Sequence, residues 1–132
     1  MNEGLADTSL LVRYLTGEPA EMAQRAASIV DGVVALKITL VVLAETAYVL
    51  QSVYQVPRAD IVTTLQDLVM RRNVVVHLAK EHIVRALELC RPSARISFAD
   101  ALVWAEALSD PCRRIYTFDQ RFPTQDIEVV LP

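Results

Sequence analysis

Short β-prone runs alternate with helical stretches along the whole chain, and this alternation constrains the fold more than any other feature. Leu5 and Ala6 end a short first strand, and Thr8 or Ser9 is placed to cap a helix containing Leu10, Leu11, Val12 and Leu15. Gly17 and Pro19 mark a turn, a second helix is expected over Ala20–Val30, and Asp31-Gly32 breaks it. Thr39 is placed to cap a long helix running to about Tyr54, with Pro57 closing that segment. Ala59 to Met70 reads as a further helix, with Ile61, Leu65, Leu68 and Val69 on one face. The Val-rich run from Asn73 to Leu78 reads as a strand, and Lys80 to Arg91 returns to helical spacing. Phe98 to Ser109 is a compact helix stopped near Asp110-Pro111, and Arg114–Phe118 and Ile127–Leu131 are closing strands. Strands separated by helices imply an α/β fold with a parallel sheet covered on both faces. No internal repeat, low-complexity tract or linker interrupts the pattern.

The 132 residues, 53% of them hydrophobic, suffice for one domain, 1–132, with a substantial core. A net charge of -3 argues against a protein that coats nucleic acid by bulk charge, and leaves room for a local basic rim around an acidic site. Cys90 and Cys112 have no CxxC spacing and cannot build a zinc site alone, so reduced thiols are expected. Glu3 and Asp7 precede any long apolar run, unlike a signal peptide, and Glu45 with several polar residues breaks the apolar region from Ile38 to Val56. No membrane span is expected, and the protein reads as cytoplasmic.

Four acids interrupt apolar segments. Asp7 ends GLAD, Glu45 lies inside VVLAETAYVL, Asp100 inside SFADALVWAEAL, and Asp119 closes RRIYTFD. On a helix, Glu45 is flanked by Val41, Val42, Tyr48 and Val49, and Asp100 by Val103 and Trp104, so each projects from a largely apolar stripe. Asp7 and Asp119 each follow a strand-like run, and ligand sites of parallel sheets lie beyond the carboxyl ends of the strands. A single helix acid is ordinarily solvated, a cap or an ion-pair partner, which is how Asp60, Asp67, Glu88 and Glu106 read. Four in apolar segments point instead to a shared cleft, because unpaired buried carboxylates are costly unless a cation neutralises them. Oxygen-only ligands suit Mg²⁺ or Mn²⁺ better than zinc. Such a site can activate water and stabilise charge on a phosphate, which points to phosphodiester hydrolysis.

These segments resemble the PIN-domain family, most closely the VapC-type toxins of bacterial and archaeal toxin–antitoxin pairs. LADTSLLVRYL is similar to the family's opening motif, TLVVLAETAYVL to the helix bearing its second acid, SFADALVWAEA to that bearing the third, and IYTFDQRF to the late strand-and-turn motif. The resemblance spans nearly the whole chain. It implies a PIN-like three-layer α/β/α sandwich with a central, mainly parallel sheet. It further implies a metal-dependent endoribonuclease that arrests growth by cutting RNA, with Asp7, Glu45, Asp100 and Asp119 as catalytic residues and ligands of Mg²⁺ or Mn²⁺. A cognate VapB-type antitoxin would inhibit it by docking a segment over the cleft, and homodimers are common in the family. By the same resemblance, Ser9 and Thr117 align with polar positions that order metal-bound water. The chain departs from many relatives at Ser97, where an additional acid is frequent and a helix cap is the natural reading here. It also departs at Ser9, where Asn is common.

Arg13, Arg95 and Arg121 lie near the motifs and are candidates for RNA phosphates, although a surface role accounts for each equally well. Arg71-Arg72 reads as helix C-terminal charge. His77 and His82 lack ligand spacing with another His or Cys, and Trp104 reads as core packing rather than a base-stacking platform. Tyr48 and Val49 belong to an apolar face suited to a dimer or antitoxin groove. Two alternatives stay open: a PIN-type nuclease in RNA processing or DNA repair, and a catalytically silent PIN-like binding module. A phosphatase using Asp7 as nucleophile fits poorly, because its usual second aspartate is replaced by Ser9.

Overall fold

Three short strands pair in parallel and set the position of everything else. The computed structural model describes residues 2–132. Among these, β1 (Glu3–Leu5) is followed by α1 (Thr8–Thr16) and α2 (Ala20–Val30), and β2 (Ala35–Lys37) by α3 (Leu40–Ser52) and α4 (Arg58–Val69). Then come β3 (Val74–Val75), α5 (Lys80–Leu89), α6 (Phe98–Ser109), β4 (Arg114–Tyr116) and β5 (Glu128–Val130). One sheet has the order β1-β2-β3, with Leu5 opposite Lys37 and Leu36 opposite Val74. The other is the parallel pair β4-β5, with Ile115 opposite Val129. Two helices separate each of the first three strands from the next, which gives the parallel neighbours of the β1-β2-β3 sheet the long crossover they require. The domain is therefore α/β with parallel pairing, as the alternation in sequence predicts.

Leu36, Ile38 and Val74 of the sheet region are buried against Leu11, Val30, Leu43, Ile61, Leu65, Ile83, Leu87 and Trp104 of the helices. In α3 the buried residues Leu40, Leu43, Ala47 and Leu50 recur at helical spacing and form one face of the helix. Trp104 is 1% exposed and its indole Nε1 donates to the carbonyl of Gln125 at 2.9 Å, so it is a core residue as expected. No helix among the described residues is long and apolar enough to cross a membrane.

The helix ends follow local chemistry. Thr39 Oγ1 accepts from the Val42 amide at 3.2 Å and Ser97 Oγ from the Asp100 amide at 3.0 Å, so both are N-caps as read from sequence. Gly17 closes α1 in the left-handed region at φ 73, where a side chain would be strained. Three expectations need correction. Asp7, not Thr8 or Ser9, holds the N-cap position of α1. Strand β2 was not anticipated, because three residues between a turn and a capped helix carry no readable period. Of the Asn73–Leu78 run, only Val74 and Val75 pair, since past Ile38, whose amide still reaches the Val75 carbonyl, the neighbouring chain turns at Thr39 into α3.

Among the described residues, four buried side-chain atoms have no hydrogen-bond partner: the Nε of Arg13, Arg58 and Arg71, and Thr46 Oγ1, which alone belongs to a residue 0% exposed, on the core face of α3. Thr46→Val replaces that hydroxyl by a methyl of similar shape. It is expected to raise unfolding stability by about 1 kcal/mol, seen as a higher urea midpoint at unchanged slope. A lower midpoint would show that the hydroxyl is bonded in solution.

Candidate active site

Asp7 stands where β1 leaves the sheet. The Ala6 amide still donates to the Lys37 carbonyl at 2.9 Å and Ala6 is buried, so Asp7 is the first residue past the last pairing. Its backbone is extended, with φ -95 and ψ 162, and its carboxylate makes no capping bond to α1. The side chain of Ser9 donates to Asp7 Oδ2 over a long 3.4 Å. The Asp7 carboxylate is thus held loosely at a helix N-terminus, where the aligned peptide dipoles favour negative charge.

Glu45 comes to the same place from α3, which packs against α1. The hydroxyl of Thr8, itself buried, donates a short hydrogen bond to Glu45 Oε1. Asp7, Thr8, Ser9, Arg13 and Glu45 line one cavity of about 380 Å³, together with Tyr54. Thr8 is a residue of this cavity that sequence reasoning passed over. It read there as a cap, and nothing in the sequence shows which side chain a helix-initial hydroxyl will face.

Asp100 and Asp119 do not line this cavity. Asp100 is half-buried in the first turn of α6, which packs on α3, and its backbone amide is engaged by Ser97. Asp119 is exposed just beyond β4. Its amide donates to Thr117 Oγ1 at 3.0 Å, and its own Oδ1 accepts from the Arg121 amide at 2.8 Å. Thr117 is fixed in turn by its amide, which donates to the Val130 carbonyl at 3.1 Å. Among the described residues, no three His, Cys, Asp or Glu side chains lie close enough together to form a metal-binding group.

The premise that these acids are buried is corrected by the structure. Asp7, Glu45 and Asp119 are exposed, and only Asp100 is partly covered. The apolar stripe around Glu45 is real but faces outward: Val41 is 77% and Tyr48 67% exposed. Hydrophobic residues are not confined to the interior, so an apolar neighbourhood in sequence does not make a site dry. The four share the absence of an ion pair among the described residues, a property they have in common with Glu18, Glu21, Asp60, Asp67, Glu81 and Asp110. Among the described residues, six ion pairs engage Glu3, Asp31, Glu88, Glu106, Asp126 and Glu128, and none engages Asp7, Glu45, Asp100 or Asp119.

The remaining candidates separate clearly. Arg13 is in the acidic cavity, with its Nε buried and unpartnered. Arg95 and Arg121 are exposed. Arg71 is a cross-link rather than a plain helix-end charge, pairing with Asp31 and donating to Tyr14 Oη at 2.8 Å. His77 pairs with Glu106 at 2.8 Å and His82 with Ser109 Oγ at 2.8 Å, both away from the cavity.

The chain belongs to the PIN domain family, whose pattern matches residues 5–127. No curated protein and no solved structure matches it. PIN domains are generally metal-dependent nucleases, so membership supports a nuclease, a hydrolase of phosphodiester bonds. The donors of the cavity fit that chemistry. Two carboxylates and two hydroxyls, free of Lys or Arg ion pairs, are hard oxygen ligands suited to a divalent cation.

Below the α6 N-terminus, burial pushes the Cys90 thiol up to about 11, while Cys112 is exposed and free. A thiol alkylating reagent at pH 8 is expected to label one cysteine in the native protein, Cys112, and both after unfolding. Rapid native labelling of Cys90 would show that the base of α6 opens.

Proposed function

We propose that this chain is a metal-dependent endoribonuclease of the VapC type, a toxin that arrests growth by cleaving RNA and is neutralised by a cognate VapB-type antitoxin. The observation that carries the reading is the meeting of Asp7 and Glu45, neither ion-paired, in one cavity of a PIN domain. In this reading Asp7, Glu45, Asp100 and Asp119 are the catalytic acids and hold Mg²⁺ or Mn²⁺. The cation supplies charge stabilisation on the phosphate and a more acidic attacking water. Thr8 pins the Glu45 carboxylate through its hydroxyl, and the Asp7 carboxylate, which makes no capping bond to the α1 backbone, is touched among the described residues only by the long bond from Ser9. The hydroxyls of Ser9 and Thr117 orient water, and Arg13 meets a phosphate oxygen from the cavity wall. The protein acts in the cytoplasm and forms a homodimer. The dimer is supported by outward-facing Val41 of α3 and Val103 of α6, which flank a groove of about 280 Å³, and by exposed Tyr48 of α3.

The test is cleavage of total cellular RNA by antitoxin-free protein in Mg²⁺, Mn²⁺ or EDTA. Cutting is expected with either cation and not in EDTA, and Asp7→Asn or Asp100→Asn is expected to abolish it while leaving circular dichroism unchanged. Full activity in both variants would refute the assignment, and inactivity of the parent with every cation would favour the silent binding module. Thr8→Val removes the hydroxyl that orients Glu45 and is expected to weaken Mn²⁺ binding by about tenfold, read by calorimetry. Unchanged affinity would remove Thr8 from the site.

A further inference from the structure

Of the three phenylalanines, Phe98 and Phe122 are 5% and 6% exposed, whereas Phe118 is 82% exposed. It stands one residue before Asp119. Two residues earlier, Tyr116 ends β4 at 68% exposure. Residues two apart on a strand share a face, so Arg114 and Tyr116 are on the outer face of β4, and the chain leaves the strand after Tyr116 and bends at exposed Phe118. The segment is held firmly. Thr117 is hydrogen-bonded to Val130 and to the Asp119 amide, and buried Phe122 anchors the following turn through its amide on the Asp119 carbonyl at 3.2 Å. The exposed rings are therefore presented by a braced turn that leaves them outside the core.

The surroundings are basic. Arg113, Arg114 and Arg121 are exposed beside these rings in sequence, and among the described residues neither Arg113 nor Arg121 has a carboxylate partner. Aromatic rings interleaved with free guanidinium groups match single-stranded polynucleotide, whose bases stack on rings while its phosphates meet cations. Trp104, the other candidate ring for stacking, is buried in the core. Duplex nucleic acid offers no unstacked base to such a surface.

We propose that Phe118 and Tyr116 form a base-stacking platform that seats unpaired nucleotides next to Asp119, with Arg113 and Arg121 receiving the adjoining phosphates. The platform selects single-stranded segments and sets which phosphate enters the acidic site. The proposal rests on the nuclease reading above, and goes beyond it by naming the residues that hold the bases.

The test measures binding rather than cleavage, using Asp100→Asn protein so that the RNA stays intact. A labelled ten-nucleotide single-stranded RNA of mixed sequence is titrated by fluorescence anisotropy, alongside the same sequence as a duplex. Adding Phe118→Leu, which keeps apolar bulk but removes the π face, is expected to weaken single-strand binding by roughly tenfold. Phe118→Trp should retain the parent affinity, and duplex binding should be weaker and indifferent to either change. Equal single-strand affinity of Phe118→Leu and its parent would overturn the platform, and if the wild-type protein still cuts RNA the nuclease reading stands without it. Loss of self-association in Phe118→Leu with RNA affinity unchanged would assign the rings to a protein contact instead. Absence of RNA binding by the parent together with absence of cutting by the wild type would overturn both.

Discussion

The register of β1 on β2 is the constraint on which the site depends. Leu5 lies opposite Lys37, and the Ala6 amide reaches the Lys37 carbonyl, so the ladder ends one residue before Asp7. On the neighbouring strand the chain passes through Ile38, whose amide donates to the Val75 carbonyl at 3.0 Å, to Thr39, which caps α3. The same short ladder therefore fixes where Asp7 emerges and where the helix carrying Glu45 begins. A slip of one residue would turn Ala6 and Leu36 out of the core, which is why a sheet so short can still hold one register.

Six carboxylates outside the site are engaged by arginine, lysine or histidine, as in Asp31 with Arg71 and Asp126 with Arg85. Such exposed pairs contribute little to stability, typically below about 1 kcal/mol each. Their absence at Asp7, Glu45, Asp100 and Asp119 matters more for chemistry, since a carboxylate already paired with a guanidinium is a poorer ligand for a cation. Stability comes from the apolar interior, where Ile61, Leu65, Ile83 and Leu87 are fully buried between α4 and α5.

Much of the architecture was legible because its boundaries are chemical. Helix α2 begins after Pro19 and ends at Asp31-Gly32, and α6 runs from the Ser97 cap to Asp110-Pro111; both occupy the residues read from sequence. Strand β2 was not legible, because Ala35–Lys37 is defined by its neighbours β1 and β3 rather than by a pattern of its own. The motifs around the acids were legible as segments, but their environment was not. Periodicity shows that Val41, Glu45 and Tyr48 share a stripe, and only packing shows that this stripe is left outside the core. The hydroxyl of Thr8 on Glu45 is a contact between residues 37 positions apart, beyond the reach of any local rule.

The central claim is that the carboxylates of Asp7 and Glu45 share a divalent cation. Crystals of the protein soaked in Mn²⁺ and measured at the manganese absorption edge test it most directly. The account predicts an anomalous peak within coordination distance of both carboxylates, with Thr8 still bonded to Glu45. Bound manganese at other residues only, or none at a concentration that supports RNA cleavage, would contradict it.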